Sequence, residues 1–190
     1  MRLSSLFKLK QTSNKGFTLI EVLVALFILS TGILGAVAMQ ASAKKGSFDA
    51  MQRSMASTLA QNIIERMRGN DAQVGTNVLD GYNGNYGTDP LIVEPASNRC
   101  DVECTPAQLT TNDLYEWEQS LTGADSMGVG GLSGVVGCIE HSNNAVTIAI
   151  SWEGREETSD GAVNNDDTFG EGCGSSSTKR RQIVVNAFIN

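Results

Sequence analysis

A single carboxylate stands within a long apolar segment near the start of the chain. Residues 17–43 contain one charged side chain, that of Glu21. An ionised carboxylate at the centre of a membrane helix costs about 2.5–3.5 kcal/mol, so it needs a cationic partner. Cleavage after Gly16 would supply one, because the new α-amino group of Phe17 would lie about one helical turn from Glu21. In a bundle of parallel, staggered helices, the carboxylate of one chain can neutralise the amino group of its neighbour. The pattern therefore predicts a processed subunit of a helical assembly.

The four cysteines are a second set of residues with possible chemistry. Cys100 and Cys104 form a Cys-x-x-x-Cys pair, while Cys138 and Cys173 have no near partner, and structural zinc sites usually contain two close pairs. There is no Cys-x-x-Cys redox motif. In an exported domain, an even number of cysteines indicates disulfides. Three pairings are possible. We favour Cys100–Cys104 with Cys138–Cys173, because the first is local and the second would hold a long acidic loop against the sheet.

The other polar groups form no recognisable catalytic or metal-binding motif. His141 is the only histidine, no Gly-x-Ser-x-Gly elbow is visible, and a surface side chain is expected there. The run Asn164-Asn165-Asp166-Asp167 does not match a calcium loop and is interpreted as a solvated acidic loop. Trp117 and Trp152 are expected to anchor a core or an interface. We therefore expect no catalytic residue, no metal and no cofactor.

Charge is distributed unevenly along the 190 residues. The first sixteen residues contain four cations, Arg2, Lys8, Lys10 and Lys15, and no acid. Removing these four from the net charge of -7 leaves -11 for residues 17–190. Such an acidic body argues against nucleic acid as a partner, because phosphate binding needs a basic surface. The basic leader is instead typical of a segment that stays in the cytoplasm.

The elements that would position Glu21 begin with a long helix. Residues 17–43 can span a bilayer, since about 20 apolar residues suffice. Residues 44–69 continue as an amphipathic helix. Its apolar side chains recur at spacings of three and four, at Phe48, Met51, Met55, Leu59, Ile63 and Met67. Gly69-Asn70 is a typical helix end, so the expected helix runs from Phe17 to Arg68.

Residues 70–190 are predicted to form a globular domain. Residues 69–98 are expected to be a loop, because they are rich in Gly, Asn, Asp and Pro. Thr105, Pro106 and Gln108 predict a capping box at the start of a short helix. Alternating apolar residues predict three strands: 134–140, 145–152 and 181–189. Between the last two, residues 153–178 show no periodicity. The fold class is therefore α+β, with the helix packed on a small antiparallel sheet.

The segment Lys15-Gly16-Phe17-Thr18-Leu19-Ile20-Glu21 resembles the signal of the type IV pilin superfamily, which includes type II secretion pseudopilins. The resemblance implies a type IV pilin-like fold. It also implies that prepilin peptidase cleaves after Gly16, that Phe17 becomes N-methylated and that Glu21 is the assembly carboxylate. A glycine suits the cleavage position because it has no side chain to obstruct a protease. These residues are substrate groups, so the chain is not expected to be an enzyme.

A narrower resemblance is to minor pilins of the PilV family. It rests on residues 59–70, on Cys104-Thr105-Pro106-Ala107-Gln108-Leu109 and on Asp113, Leu114 and Trp117. It implies a role in priming pilus assembly at or near the tip, with a possible part in adhesion or twitching motility. The implied partners are other minor pilins, the major pilin, prepilin peptidase and the inner-membrane assembly platform.

This interpretation divides the chain into four parts. They are a leader (1–16), a membrane-spanning half-helix (17–43), an amphipathic half-helix (44–69) and a periplasmic, later extracellular, domain (70–190). Within the superfamily, the alternative is a type II secretion pseudopilin, although similar pseudopilins lack a region as long as 70–178. From another class, the alternative is a secreted enzyme released after Ala43, since Ala41-Ser42-Ala43 fits a signal-peptidase site. The long apolar run and Glu21 argue against that alternative.

Overall fold

The computed structural model describes residues 16–71, 78–88, 90–95, 100, 103–124, 131–163 and 168–189. They separate after Gly46 into two compact units. The helices are α1 (Leu19–Asp71), α2 (Pro106–Thr122) and α3 (Thr168–Glu171), with a 3-10 helix at Val78–Tyr82. The strands are β1 (Gly84–Tyr86), β2 (Val136–Ser142), β3 (Ala145–Glu153) and β4 (Arg180–Phe188). The predicted α+β class, with a long apolar N-terminal helix and a small antiparallel sheet, is confirmed.

The far end of α1 differs from the prediction. The helix does not stop at Arg68 but continues to Asp71, and Asn70 is fully buried. The Asn70 amide nitrogen lies 3.0 Å from the Tyr82 hydroxyl and 2.9 Å from the Thr110 hydroxyl. Both hydroxyls accept from the amide nitrogen of a side chain that would otherwise favour a helix end, and the helix extends three residues beyond Arg68.

The apolar face of α1 is only partly as predicted. The buried stripe of the second unit consists of Ala56, Leu59, Ala60, Ile63, Ile64 and Met67. Met51, expected in this stripe, is 54% exposed, whereas Gln52, a polar residue outside the predicted stripe, is 6% exposed. Gln52 precedes Ala56 by one helical turn, so the straight 3.6-residue repeat brings position 52 to the core side.

The sheet has four antiparallel strands in the order β1-β2-β3-β4. The three predicted strands are present within two residues of their expected ends. On β3 the side chains of Val146, Ile148, Ile150 and Trp152 are all buried, as their alternation predicts. The fourth strand, β1, lies in the segment predicted to be a loop. It is stabilised by Tyr86, whose hydroxyl donates to the Tyr82 carbonyl at 2.7 Å.

Helix α2 joins α1 to the sheet. The predicted capping box is present, with the Thr105 side chain accepting from the Gln108 amide. Trp117 is fully buried and donates through its indole N–H to the Leu59 carbonyl of α1 at 2.9 Å. A Cβ atom at Gly137 of β2 would lie 2.6 Å from the Trp117 ring. A glycine is therefore required where the indole crosses β2.

The structure contains both expected disulfides, Cys100–Cys104 and Cys138–Cys173. The second joins β2 to the segment between β3 and β4, and its two cysteines are buried against Ala149. That segment also carries α3, so it is more ordered than its lack of periodicity predicts.

We predict that the two disulfides contribute unequally to stability. Cys138–Cys173 closes a separation of 35 residues and Cys100–Cys104 one of only 4. Because the loss of chain entropy grows with loop length, the double variant Cys138→Ala/Cys173→Ala should lower the free energy of unfolding by about 3–4 kcal/mol. The matched variant Cys100→Ala/Cys104→Ala should lower it by about 2 kcal/mol or less. Urea denaturation of the full chain in detergent measures both, and equal losses would contradict the loop-length argument.

Candidate functional site

The segment expected to be processed precedes the first turn of α1. Gly16, Phe17 and Thr18 lie outside the helix, which begins at Leu19. The Phe17 side chain is 82% exposed, and a Cβ atom at Gly16 would have no neighbour within 4 Å. Thr18 caps the helix by accepting from the Glu21 amide, at 3.1 Å through its carbonyl and 3.4 Å through its hydroxyl. The backbone on both sides of the Gly16–Phe17 bond is therefore open to an approaching enzyme.

Glu21 lies in the first turn of α1 and is exposed. A carboxylate at this position interacts favourably with the helix dipole. Within the described residues, no cation forms an ion pair with it. A bilayer around α1 would leave this charge uncompensated by the described residues.

The apolar surface around Glu21 is uncovered. From Leu19 to Met39 the large apolar side chains of α1 are 49–79% exposed. The helix is long and apolar enough to cross a membrane by length and composition, with a mean hydropathy of 2.5 over the best window. Such a continuous apolar surface needs lipid or other apolar helices around it. In the first unit, α1 therefore has the length and the exposed apolar surface of a membrane anchor.

A short apolar segment of the second unit is also exposed. Leu91 is 37% exposed and Val93 is 84% exposed, and they flank Ile92, which packs against the core. Glu118 of α2, only 2% exposed, holds this segment by accepting from the Gly87 amide at 2.7 Å and the Ile92 amide at 2.5 Å. No sequence pattern identified Glu118, because a glutamate on a helix is normally a surface residue.

A buried polar network connects α1, the 3-10 helix and α2. Arg66 forms ion pairs with Asp113 at 2.9 Å and Glu116 at 2.7 Å, and the Tyr82 hydroxyl donates to Asp113 at 2.7 Å. Burial and the neighbouring Asp113 carboxylate raise the pKa of Tyr82 well above its usual range. Burial, with a smaller effect from Glu118, raises the pKa of Tyr86 to about 12. Both phenols therefore stay neutral donors at physiological pH.

A second polar cluster orders the segment between β3 and β4. Asp160 accepts from the Arg180 guanidinium at 2.6 Å, the Ala162 amide at 3.0 Å and the Ser176 hydroxyl at 2.8 Å. The Asp160 and Arg180 side chains are only 10% and 6% exposed. Burial alone would raise the pKa of Asp160, but Arg180 and the hydrogen bonds outweigh it and hold that pKa well below its usual range. The ion pair thus fixes this segment on the sheet.

The histidine and the two tryptophans singled out in the sequence are packed within the fold. His141 is not the surface side chain expected from the sequence: it is 7% exposed, and its Nδ1 lies 2.8 Å from Asp80 Oδ1. The Asp80 carboxylate explains the difference, because it gives the buried imidazole a partner. Trp117 and Trp152 are core anchors, as predicted. Among the described residues there is no cluster of three or more His, Cys, Asp or Glu side chains that could hold a metal. The run 164–167 lies outside the described residues.

Comparison with protein families gives one match. Residues 11–37 match the family model described as the prokaryotic N-terminal methylation motif. The matched range includes Gly16, Phe17 and Glu21. No curated protein and no solved structure shows significant similarity to the chain. The chain therefore carries a type IV pilin-like prepilin signal near its N-terminus. Its architecture is α+β and pilin-like.

We predict that the Asp160–Arg180 pair makes stability depend on acid pH. The pKa of the Asp160 carboxylate is lower in the folded state than in the unfolded state. Its contribution to the free energy of unfolding is therefore complete above the unfolded-state pKa of about 3.9 and is lost as the pH falls towards the folded-state pKa. At pH 7, Asp160→Asn should cost about 3–5 kcal/mol, because it leaves a buried guanidinium unpaired.

The difference in the free energy of unfolding between wild type and Asp160→Asn should shrink progressively below about pH 4. Urea denaturation of the full chain in detergent at several pH values measures it. Glu65→Gln is the matched control, since it removes an exposed partner of Arg68 and should cost less than about 1 kcal/mol. A difference that stays constant down to pH 2 would contradict the assignment.

Proposed function

We propose that this protein is a minor pilin of the type IV pilus, cleaved after Gly16 by prepilin peptidase and N-methylated on Phe17. The observation that carries the proposal is the uncovered apolar start of α1, with Glu21 as its only charge, inside a matched N-terminal methylation motif. The protein acts by association and catalyses no reaction. It lies first in the bacterial inner membrane and afterwards in the surface pilus. Before assembly, the leader is in the cytoplasm and the head, which is the second unit (residues 47–190), is in the periplasm.

Assembly follows from the electrostatics of the first helical turn. Removal of the leader leaves a cationic amino group on Phe17 and a carboxylate at Glu21. Between staggered helices packed in a low-dielectric interior, the carboxylate of one subunit pairs with the amino group of its neighbour. The pair neutralises both charges at one relative height of the helices, so it also sets the axial register of the incoming subunit. The exposed apolar side chains around Glu21 then become the buried core of the filament.

The role of a minor pilin is supported by the resemblance to the PilV family. The residues that carry this resemblance also stabilise the head. Residues 59–70 supply the buried face of α1, including Asn70. Thr105 and Gln108 cap the start of α2, and Trp117 anchors this helix in the core. We assign the subunit to the set that primes assembly at or near the tip. Its partners are then other minor pilins, the major pilin and the assembly platform.

The two alternatives fit less well. A type II secretion pseudopilin would share the signal but would have a shorter region than residues 70–178. Deleting the gene distinguishes a minor pilin from a pseudopilin. Loss of surface pili would favour the minor pilin, and loss of protein secretion would favour the pseudopilin. A secreted enzyme would need cleavage after Ala43, yet Ala41, Ser42 and Ala43 lie inside the continuous helix α1.

We predict that Gly16→Leu blocks processing. The added side chain obstructs the protease at the bond that it must reach, so the variant should remain in the membrane with its leader attached. N-terminal sequencing of the wild-type and variant proteins tests this. The wild type should begin at Phe17, with a methylated amino group detected by mass spectrometry. A wild-type chain that begins at Lys44 would refute the pilin assignment and favour the secreted enzyme.

We predict that Glu21→Gln is cleaved normally but enters pili poorly. Glutamine keeps the size of the side chain and removes the charge that pairs with the amino group. A charge-assisted contact contributes about 1.5–3 kcal/mol, so the amount in sheared pili should fall about tenfold or more relative to the membrane pool. Glu140→Gln, on the exposed surface of β2, is the matched control and should assemble as wild type. Normal incorporation of Glu21→Gln would rule out the charge pairing.

A further inference from the structure

Some basic residues of the head form ion pairs with carboxylates, and others do not. Arg66, Arg68 and Arg180 each form an ion pair with a carboxylate. By contrast, no carboxylate in the described part of the chain forms an ion pair with Arg53, Arg155, Lys179 or Arg181. On a chain with a net charge of -7, unpaired cations at one place are available for an anionic partner.

Two of these cations, Arg53 and Arg181, line one cavity of the second unit. The cavity has a volume of about 350 Å³, and its walls include Asp49 and Arg53 of α1, Trp152 of β3 and Arg181 of β4. Trp152 and Arg181 are direct partners in the β3–β4 register, so their side chains share one face of the sheet. Both arginines thus border the same space, on opposite walls.

Contacts with the backbone and with an aromatic ring hold two of the guanidinium groups in place. Arg181 donates to the Glu156 carbonyl at 2.8 Å, and the Arg155 guanidinium lies 3.8 Å from the centre of the Phe48 ring. Neither contact neutralises the charge. Arg53 is exposed and free to turn towards a ligand. The Arg181 guanidinium is therefore held at the cavity wall without an ion pair among the described residues.

The cavity residues that belong to α1 closely follow the membrane segment in the chain. Asp49 and Arg53 come six and ten residues after Ala43, the last residue of the predicted span. In the inserted protein, this part of the head is the part nearest in sequence to the bilayer surface. The lipid headgroups, whose phosphodiester groups are anionic, are thus the ligands that lie nearest to these residues along the chain before assembly.

The cavity carries charges of both signs. Arg53 and Arg181 suit a phosphodiester, which guanidinium groups bind through paired N–H donors. Asp49 suits an ammonium group. A phosphoethanolamine headgroup contains both of these groups, whereas a free phosphate contains only the first.

We propose that this cavity binds the headgroup of a phosphoethanolamine phospholipid in the membrane that α1 crosses. The proposal rests on the proposed function, since it requires a membrane-inserted chain. Headgroup binding holds the head against the bilayer while the subunit waits for assembly. Entry into the filament must break this contact, so the site opposes premature extraction.

Native mass spectrometry of the full-length chain in detergent tests the proposal. Phosphatidylethanolamine, phosphatidylglycerol and diacylglycerol with the same acyl chains are titrated separately. Wild type should bind phosphatidylethanolamine most tightly and diacylglycerol most weakly. Arg53→Gln should weaken binding of both phospholipids about tenfold, since it removes one charge-assisted contact with the phosphodiester. Asp49→Asn should weaken binding of phosphatidylethanolamine alone.

Arg68→Gln is the matched control, because it removes an arginine from the other end of the same amphipathic helix and should bind all three lipids as wild type. Equal binding of diacylglycerol and phospholipid would overturn the proposal, as would equal effects of Arg53→Gln and Arg68→Gln. Full displacement of lipid by millimolar inorganic phosphate would identify a site for soluble anions instead. Circular dichroism checks that each variant is folded. N-terminal sequencing of the same samples reports on processing, so a failure of lipid binding is distinguished from a failure of the proposed function.

Discussion

Glu21 must be compensated within an otherwise apolar surface, and the organisation of the molecule follows from that requirement. The first part of α1 exposes large side chains that water does not tolerate, and its one carboxylate cannot remain alone in lipid without cost. No described residue of the same chain compensates it. Under the proposed function, this compensation is intermolecular, with lipid around the apolar surface first and neighbouring helices afterwards.

Helix α1 has two roles: its first part is exposed and apolar, and its second part belongs to the core of the head. Its apolar stripe from Ala56 to Met67 packs in the same cluster as α2 and the sheet. Trp117 connects all three, since it is buried, donates to Leu59 and crosses β2 at Gly137. Buried polar groups then fix the segments between the regular elements: Glu118 holds the segment around Ile92, and Asp160 with Arg180 holds the one before β4. Force applied along α1 would consequently reach the sheet through packed side chains and specific hydrogen bonds.

Much of this head was predictable where local chemistry dominates. The capping box at Thr105 depends on residues three positions apart, and the alternation on β3 depends on the strand repeat alone, so both were correct. Two of the errors have a common cause in distant partners. The helix continues through Asn70, whose amide nitrogen donates to Tyr82 and Thr110, and the imidazole of His141 is buried beside the Asp80 carboxylate. Strand β1 is too short to produce a periodic pattern and forms only because β2 presents an edge.

The sequence by itself determined the apolar helix, the position of Glu21 within it, the prepilin-type signal and the α+β class, because each is carried by neighbouring residues along one stretch of chain. Only the tertiary structure decided which polar side chains are buried. Glu118, Asn70 and Gln52 look like surface residues in the sequence, and their surroundings exist only after α2 and the sheet have closed on α1. It also brought Arg53 and Arg181, 128 positions apart in the chain, to the walls of one cavity. Contacts over such separations depend on the packing of whole elements, which no local pattern encodes.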